Sequence, residues 1–374
     1  MTWLLPDRPE QLRNASAVPA AGACVRLARR RGRFCLPSVV VIGAMRAGTS
    51  ALTHYLLQHP HLSRNADGTE VHYFSDPFEP TEALIEKWPT YVGKFPAQKH
   101  ILTLDKTAQY LTGNLDALRT LLPSARVVAV LREPGQRAYS EFFHHCRAGR
   151  VVEVAKRVGP LRAGAVLRGD ALRGGRFASA ALCYGARGRK RQLDELYELR
   201  GKENPAWILN RGTYRVLGRC AARHFDRFLA ASPPEGEWTE LGAGRYADRL
   251  RPLGGAVTLV DAADLRTDAG AVARRVLGGL RLDAALYPRH LEPYVPSHVD
   301  APEPLLPATR TRLDDVYRGP NAALRRRPGA RRALPGRPRA PFSPAISPAP
   351  FEFAARRRAS RASAPCARPG TRRG

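Results

Sequence analysis

Apolar, β-branched runs alternate with helical segments between residues 36 and 145 of this 374-residue chain. The apolar runs predict buried strands over 38–42, 101–104 and 126–131. The segments that follow have the spacing of amphipathic helices, which we expect over 49–58, 115–122 and 134–146. Strand and helix in repeated alternation predict an α/β domain with a central parallel sheet flanked by helices.

Beyond residue 146 the pattern is less regular. Residues 147–200 are rich in Arg, Gly and Ala with weak periodicity, so we expect a variable, partly mobile excursion. Periodic apolar positions then predict a strand over 256–260 and helices over 212–231, 262–280 and 306–324. Asp261 is expected to cap the helix that follows the strand.

Composition limits the predicted domain to residues 36–326. The formal net charge is +28, and residues 325–374 hold fourteen Arg, one Glu and nine Pro, a net charge of +13 from fourteen minus one. A segment with so few periodic apolar residues cannot offset its ordering entropy, so 327–374 is predicted to be a disordered basic tail. Residues 1–35, dominated by Pro, Ala and Arg, are predicted to be a disordered leader.

Composition also bears on membranes, metals and partners. No run of 18 or more apolar residues is present, so no transmembrane segment is expected in this chain. The six cysteines show neither C-x-x-C nor Cys/His ligand spacing, so neither a zinc site nor a dense disulfide framework is indicated. The positive charge suggests a polyanionic partner. A nucleic-acid-binding protein is one interpretation, but the domain lacks an interleaved aromatic and basic stripe, and no specific nucleic acid is expected.

A glycine loop follows the first predicted strand, with the sequence Gly43-Ala-Met-Arg46-Ala-Gly48-Thr49-Ser50. Such a loop between a strand and a helix directs backbone N–H groups and the positive helix end at an anion. Its spacing is that of the phosphate loop of nucleoside triphosphatases, except that Thr49 occupies the lysine position. The loop therefore predicts an anion site but not, by itself, triphosphate chemistry.

A metal-dependent kinase or triphosphatase also needs a carboxylate at a strand end for Mg²⁺. Here the strand over 126–131 ends in Arg132, and Asp105 after the strand over 101–104 is the only substitute. These residues favour a nucleotide with isolated phosphates, bound by Arg, Ser and backbone donors without metal. The kinase or triphosphatase interpretation stays open as the alternative.

A second motif begins at Leu131 and includes Arg132 at the strand end and Ser140 eight residues later, about two helical turns on. Ligands of open parallel sheets gather at the carboxyl ends of the strands. We therefore expect Arg132 and Ser140 to lie at the same edge of the sheet as the glycine loop.

Together these motifs resemble the sulfotransferases that use 3′-phosphoadenosine 5′-phosphosulfate, especially the heparan sulfate 3-O- and N-sulfotransferase branch and its bacterial relatives. The similar blocks follow the family's order across residues 36–326 and are Ile42–Ser50, Glu70–Phe74, Lys106–Thr107, Leu131–Ser140, Arg211–Tyr214 and Thr309–Asn321. The first and fourth blocks are specific as a pair, and the others are supportive.

The resemblance implies 3′-phosphoadenosine 5′-phosphosulfate as donor, adenosine 3′,5′-bisphosphate as product, and no metal. It implies that residues 43–50 hold the 5′ phosphosulfate and that Arg132 and Ser140 hold the 3′ phosphate. The donor-binding residues that it implies are Arg46, Ala47, Gly48, Thr49, Ser50, Arg132, Ser140 and Tyr214.

The resemblance also implies catalytic roles. Glu70 would accept the proton of the acceptor, and Arg46 would meet the bridging oxygen and the sulfuryl group. Lys106 would add a second cation, and His72 would support Glu70 or touch the sulfuryl group. The acceptor expected from the family is a hydroxyl or amine of a carbohydrate such as heparan sulfate.

The chain departs from the family pattern at several positions. Asp105 replaces the Glu of the E-K-T-P segment, and Ser75 stands where an Asp often follows the aromatic pair. Residues 281–305 contain no Cys and no Lys, where the family has a cysteine-bracketed basic loop over the nucleotide. The family resemblance suggests the Golgi lumen if the N-terminus is truncated, and otherwise a soluble cytoplasmic protein.

Overall fold

The computed structural model describes part of the chain: residues 3–4, 22–27, 31–97, 101–155, 162–168, 214–217, 219–231, 241–280, 282–296 and 303–327. The chain divides into two units, Met1–Pro335 and Gly336–Gly374. All described residues belong to the first unit. The predictions of disorder for residues 1–21 and for the tail beyond Arg327 lie, apart from the backbone of residues 3–4, outside the described residues.

The described strands, in chain order, are β1 Trp3–Leu4, β2 Cys24–Arg26, β3 Phe34–Cys35, β4 Val39–Gly43, β5 Leu62–Arg64, β6 Leu102–Lys106, β7 Arg126–Leu131, β8 Val151–Val154, β9 Val166–Arg168, β10 Tyr214–Val216 and β11 Val257–Asp261. The described α-helices are α1 Thr49–Leu56, α2 Thr81–Val92, α3 Leu115–Leu121, α4 Pro134–Arg147, α5 Ala222–Ala231, α6 Tyr246–Arg249, α7 Ala262–Thr267, α8 Ala269–Gly278 and α9 Pro307–Arg326.

A parallel sheet of five strands forms the centre of the domain, in the order β11-β7-β4-β6-β5. Its middle strands are continuous apolar runs, and the side chains of Val39–Ile42 and Val128–Leu131 are completely buried. Strands buried on both faces take this composition because helices cover a parallel sheet. Helix α1 packs against β4, β6 and β7, and α7 packs against β11. The predicted fold class, a central parallel sheet flanked by helices, is confirmed.

The helix expected over 262–280 is two helices. Asp261 caps α7 by accepting a hydrogen bond from the Ala263 N–H, as expected. Asp268 then leaves the helical conformation and accepts a bond from the Ala271 N–H, which begins α8. A side chain that can cap a new helix competes with continuing the old one. None of the described helices is both long and apolar enough to cross a bilayer.

A second, antiparallel sheet lies within and after the predicted excursion, in the order β10-β8-β9. Its presence corrects the helix expected over 212–231: Tyr214–Val216 is the strand β10, paired with β8, and helix α5 begins only at Ala222. The Ala222 N–H donates to the Glu303 carboxylate, which fixes that later start. Pairing with a distant strand therefore overrides the local helical periodicity. Residues 169–213 lie outside the described residues.

The structure also differs from the predicted leader at 22–27 and 31–35. Strands β2 and β3 pair antiparallel, and a disulfide joins Cys24 to Cys35 directly across them. The Cys35 N–H donates to the Phe95 carbonyl, so the pair is bonded to the domain. Residues before 36 therefore pack with the domain. The disulfide and the backbone hydrogen bonds hold them there, although their composition offers few apolar residues for a core.

A second disulfide joins Cys146, near the end of α4, to Cys220, just before α5. The two cysteines are 74 residues apart in sequence, so their spacing could not reveal the pair. The cross-link lies beside a second apolar core, in which Phe142 of α4 packs with Phe225 and Phe228 of α5. It therefore ties α4, the helix that carries Ser140, to the second sheet and α5.

We predict that replacing Cys146 and Cys220 together by Ser lowers the free energy of unfolding by about 4 kcal/mol, since a long closed loop loses much of its entropy when cross-linked. Denaturant unfolding of the oxidised protein measures this. Ala308→Ser, at an exposed position of α9, is the control. An unchanged midpoint in the double variant would show that the cross-link does not stabilise the fold.

Candidate functional site

The glycine loop joins β4 to α1 at the centre of the sheet. Gly43 and Gly48 have φ angles of 144° and 105°, and Arg46 has a φ of 65°, a region that non-glycine residues rarely adopt. Gly48 is the N-cap of α1. A side chain at Gly43 would lie 2.6 Å from the Ala108 carbonyl oxygen, so only glycine fits at the point where the loop leaves the strand.

Three of the predicted donor-binding residues come together beside this loop. An Arg132 N–H donates to the Arg46 carbonyl at 3.1 Å, and Arg46 Nε donates to Ser140 Oγ at 3.4 Å. Arg132 follows β7 and Ser140 lies on α4, so residues 94 positions apart meet at the carboxyl ends of the central strands. This arrangement concentrates two guanidinium groups and one hydroxyl around the start of α1.

The neighbouring elements fix these side chains. Glu133 caps α4 by accepting bonds from the Gly135 and Gln136 N–H groups at 2.8 and 2.7 Å. The Tyr246 hydroxyl donates to the Arg132 carbonyl at 2.9 Å. The end of β7 and the start of α4 are therefore held on both sides of Arg132.

His144 lies near Arg46 and was not singled out in the sequence analysis. It lies one helical turn after Ser140 on α4, and therefore on the same face of the helix. Burial, and after it the positive charge of Arg46, lowers the pKa of His144 to about 4. A neutral imidazole thus lies beside Arg46 at neutral pH. A His at the i+4 position from Ser140 was the available signal.

Glu70 and Lys106 form an ion pair next to the loop. The other oxygen of Glu70 accepts a bond from the Ala108 N–H at 3.2 Å and lies 3.9 Å from His72 Nε2. Lys106 ends β6 with its side chain 11% exposed, whereas the His72 side chain is half exposed. Glu70, His72 and Lys106, three of the predicted catalytic residues, are therefore adjacent. His72 lies on the solvent side.

Ala108 connects the two halves of the site. Its carbonyl faces Gly43 at the start of the glycine loop, and its N–H binds Glu70. In the sheet, Val41 of β4 is the register partner of Lys106, and the Thr107 N–H donates to the Val41 carbonyl. Glu70 and Lys106 consequently lie at the same sheet edge as Arg46.

Asp105, the only carboxylate suggested for Mg²⁺, is completely buried. Thr107 donates to its Oδ1, and Tyr91 and Tyr110 donate to its Oδ2. Burial raises the pKa of Asp105 to about 6, although the three hydroxyl bonds act in the opposite direction. A carboxylate so enclosed is committed to the interior and not to a metal at the sheet edge.

Comparisons with known proteins bear on this arrangement. No protein-family model matches the chain. A stretch of 116 residues is 32% identical to the bifunctional heparan sulfate N-deacetylase/N-sulfotransferase 1 of Caenorhabditis elegans, covering 29% of this chain and 13% of that protein. Another, of 112 residues, is 26% identical to the membrane-associated sulfotransferase kil1 of Dictyostelium discoideum, covering 29% of this chain and 23% of that protein. The chain is related to the sulfotransferases.

These matches span only about an eighth to a quarter of the relatives' lengths. Among solved structures, a sulfotransferase from Alicyclobacillus acidocaldarius aligns with 77% of this chain and 94% of its own, at 18% identity and a TM-score of 0.44. That score is too low to support an argument, so the relationship to the sulfotransferases rests on sequence.

The other predicted donor-binding residues differ in their exposure to solvent. Ala47 and Thr49 are buried in the loop and Ser50 is exposed at the start of α1. For Tyr214 the structure describes the backbone alone, as part of β10, so the predicted contact is not located.

Residues 282–296 run along α1 and the residues just after it. The Glu292 carbonyl accepts a bond from the Gln58 amide at 3.0 Å, and the Glu292 N–H donates back to the Gln58 side chain at 2.9 Å. The Tyr294 N–H donates to the Tyr55 hydroxyl at 3.1 Å. Residues 282–296 are therefore bonded to the helix that begins at the glycine loop.

We predict that Gly43→Ala destabilises the protein by about 1–3 kcal/mol, because the new methyl group would overlap the Ala108 carbonyl and the φ of 144° disfavours any side chain. Thermal unfolding measures this. Gly255→Ala is the matched control, since a Cβ there meets nothing within 4 Å. Equal stability of the two variants would contradict the close approach of Gly43 and Ala108.

Proposed function

We propose that this protein transfers a sulfuryl group from 3′-phosphoadenosine 5′-phosphosulfate to a hydroxyl or amine of a carbohydrate. The observation that carries the proposal is the meeting of Arg46, Arg132 and Ser140 beside the glycine loop. Two arginines and a hydroxyl around a helix N-terminus suit a ligand with two separate anionic groups, because Arg and helix ends both bind phosphate oxygens. The sequence relationship to sulfotransferases supports the same conclusion.

The donor would be held at its two anionic ends. Residues 43–50 would bind the 5′ phosphosulfate through backbone N–H groups, with Arg46 at the bridging oxygen. Arg132 and Ser140 would bind the 3′ phosphate, which distinguishes this donor from other adenine nucleotides. When bound, the donor supplies an activated sulfuryl group with a phosphate leaving group. The cations of the site, Arg46, Arg132 and Lys106, would offset the negative charge without a metal.

Glu70 would act as the base in an in-line displacement. It would take the proton of the acceptor while the acceptor oxygen or nitrogen bonds to sulfur, and the bond from sulfur to the 5′ phosphate oxygen would break. Lys106, paired with Glu70 in the structure, would stabilise the sulfuryl oxygens. Positioned carboxylates contribute roughly 10²- to 10⁴-fold as general bases.

The acceptor class is proposed from charge and from the relatives. Curated relatives are named as heparan sulfate N-deacetylase/N-sulfotransferases, and the chain carries a formal net charge of +28. A cavity of about 460 Å³ between residues 111–116 and the segment around α6 is lined by Arg245, Arg249 and Arg251 together with Asp116 and Asp248, so its lining is of mixed charge. An acidic glycan would therefore be attracted by the positive charge of the whole chain.

The two disulfides bear on the compartment. Cross-links such as Cys24–Cys35 and Cys146–Cys220 persist in oxidising environments and are rare in reducing ones. We therefore favour an oxidising lumen or exterior over the cytoplasm.

The two alternatives have less support. A magnesium-dependent kinase or triphosphatase needs an available carboxylate, and both oxygens of Asp105 accept hydroxyl bonds. A nucleic-acid-binding function depends chiefly on the basic tail, which lies outside the described residues.

We predict that the protein binds adenosine 3′,5′-bisphosphate without Mg²⁺ at least tenfold more tightly than adenosine 5′-monophosphate, because charged hydrogen bonds to the 3′ phosphate contribute about 1.5–3 kcal/mol. Arg132→Ala and Ser140→Ala should each remove much of that difference. Arg318→Ala, at an exposed pair with Asp315, is the control. Calorimetric titration measures the affinities, and tighter binding of ATP with Mg²⁺ would favour the kinase interpretation.

We predict that Glu70→Gln lowers kcat for sulfate transfer to heparan-type acceptors by about 10²- to 10⁴-fold, since the amide cannot accept the acceptor proton. The affinity for adenosine 3′,5′-bisphosphate should stay within about twofold, because a general base acts on the chemical step and not on nucleotide binding. Labelled sulfate transfer gives the rate. Glu79→Gln is the control because Glu79 forms a comparable pair with Lys87. Full activity of Glu70→Gln would exclude Glu70 as the base.

A further inference from the structure

A buried carboxylate lies directly behind the segment that carries Glu70. Asp105 is completely buried, and its hydrogen-bond partners in the described part of the chain are three hydroxyls. Thr107 Oγ1 is 3.0 Å from Oδ1, and the Tyr91 and Tyr110 hydroxyls are each 2.9 Å from Oδ2. Because an ionised carboxylate can only accept, each of these hydroxyls must point its single proton at Asp105.

Two of the hydroxyls pass the interaction on to the backbone. Thr107 Oγ1 accepts a bond from the Val71 N–H at 3.1 Å, and the Tyr110 hydroxyl accepts one from the Tyr73 N–H at 3.1 Å. A hydroxyl whose proton is committed to a carboxylate has its lone pairs available for N–H donors. The carboxylate therefore sets the direction of both relays, from backbone N–H to hydroxyl to Asp105.

The two relays hold both sides of a strained turn. Val71 and Tyr73 flank His72, whose φ of 58° is unusual for a residue with a side chain. Glu70 immediately precedes this turn, and its oxygens must reach both Lys106 and the Ala108 N–H. Since Lys106 and Ala108 belong to the same segment as Asp105, the relays fix Glu70 relative to its own partners.

Ionisation of this buried carboxylate has a cost in stability. Burial raises the pKa of Asp105 to about 6, above the value of about 3.9 for an exposed Asp. The folded state then binds the proton more tightly than the unfolded state, so stability falls as pH rises from about 4 to about 6. At neutral pH the ionised group therefore lowers the free energy of unfolding. Its hydrogen bonds position the hydroxyls that hold the Val71 and Tyr73 N–H groups.

We propose that Asp105 is a positioning residue for Glu70, acting through Thr107 and Tyr110 on the Val71 and Tyr73 amides. The importance of this positioning for the reaction rests on the proposed function, in which Glu70 is the base. The relay is a property of the folded chain and is independent of the proposed function. Its partner Tyr91 donates to Asp105 but makes no backbone bond in the same relay.

Asp105→Asn tests the relay, because the amide group would donate where the carboxylate accepts and would turn one hydroxyl around. Hydrogen exchange at single-residue resolution should show at least tenfold faster exchange at Val71 if the amide nitrogen faces Thr107, or at Tyr73 if it faces Tyr110. Thr107→Val should accelerate exchange at Val71 alone, and Tyr110→Phe at Tyr73 alone. Tyr91→Phe is the matched control, which removes a hydroxyl from Asp105 and should leave both amides protected.

Activity gives the second measurement. In Asp105→Asn, kcat for sulfate transfer should fall at least tenfold while the affinity for adenosine 3′,5′-bisphosphate stays within twofold, a split that general loss of folded protein would not produce. Unchanged exchange at both amides in an active protein would overturn the positioning role and leave the proposed function standing. Accelerated exchange in the variant, together with no sulfate transfer by the unsubstituted protein, would support the relay and overturn the proposed function.

Discussion

The close approach of Gly43 to Ala108 is the contact on which the site depends. The glycine loop follows β4 and Ala108 follows β6, and a residue with a Cβ at position 43 would push the two segments apart at the Ala108 carbonyl. The N–H of Ala108 binds Glu70, and its carbonyl faces Gly43. Ala108 therefore determines both where the loop begins and where the Glu70 carboxylate lies. Parallel pairing of β4 with β6 supplies the register that makes the contact possible.

The elements that carry Arg132 and Ser140 were predictable from sequence because their apolar residues have a clear strand or helix period. The strand over 126–131 matches β7 at both ends, and the helix after it differs from α4 by one residue. Because carboxyl ends of parallel strands share an edge, the meeting of Arg132 and Ser140 with Arg46 followed from their places in the pattern. The roles of these residues in binding and transfer stay predictions.

The missed features depend on contacts that sequence spacing does not encode. The disulfides join cysteines 11 and 74 residues apart, and only the strand register and the packing of α4 with α5 bring each pair together. Strand β10 was assigned to a helix because the pairing partner β8 lies some 60 residues earlier. The hydroxyls around Asp105 come from α2 and from the turn after β6, so no local motif marks them.

The charged groups of the site satisfy one another in the structure, and this limits how the proposed reaction can begin. Arg46 donates to Ser140, and Lys106 is paired with Glu70. An anionic donor would compete with Glu70 for Lys106, since a nearby cation is attracted to whichever negative charge is closer and less hydrated. If Lys106 turned to the donor, Glu70 would lose its ion-pair partner and become available to a hydrogen-bond donor of the acceptor. Under the proposed function, donor binding would therefore precede acceptor binding, because an acceptor that arrived first would meet a carboxylate still paired with the lysine.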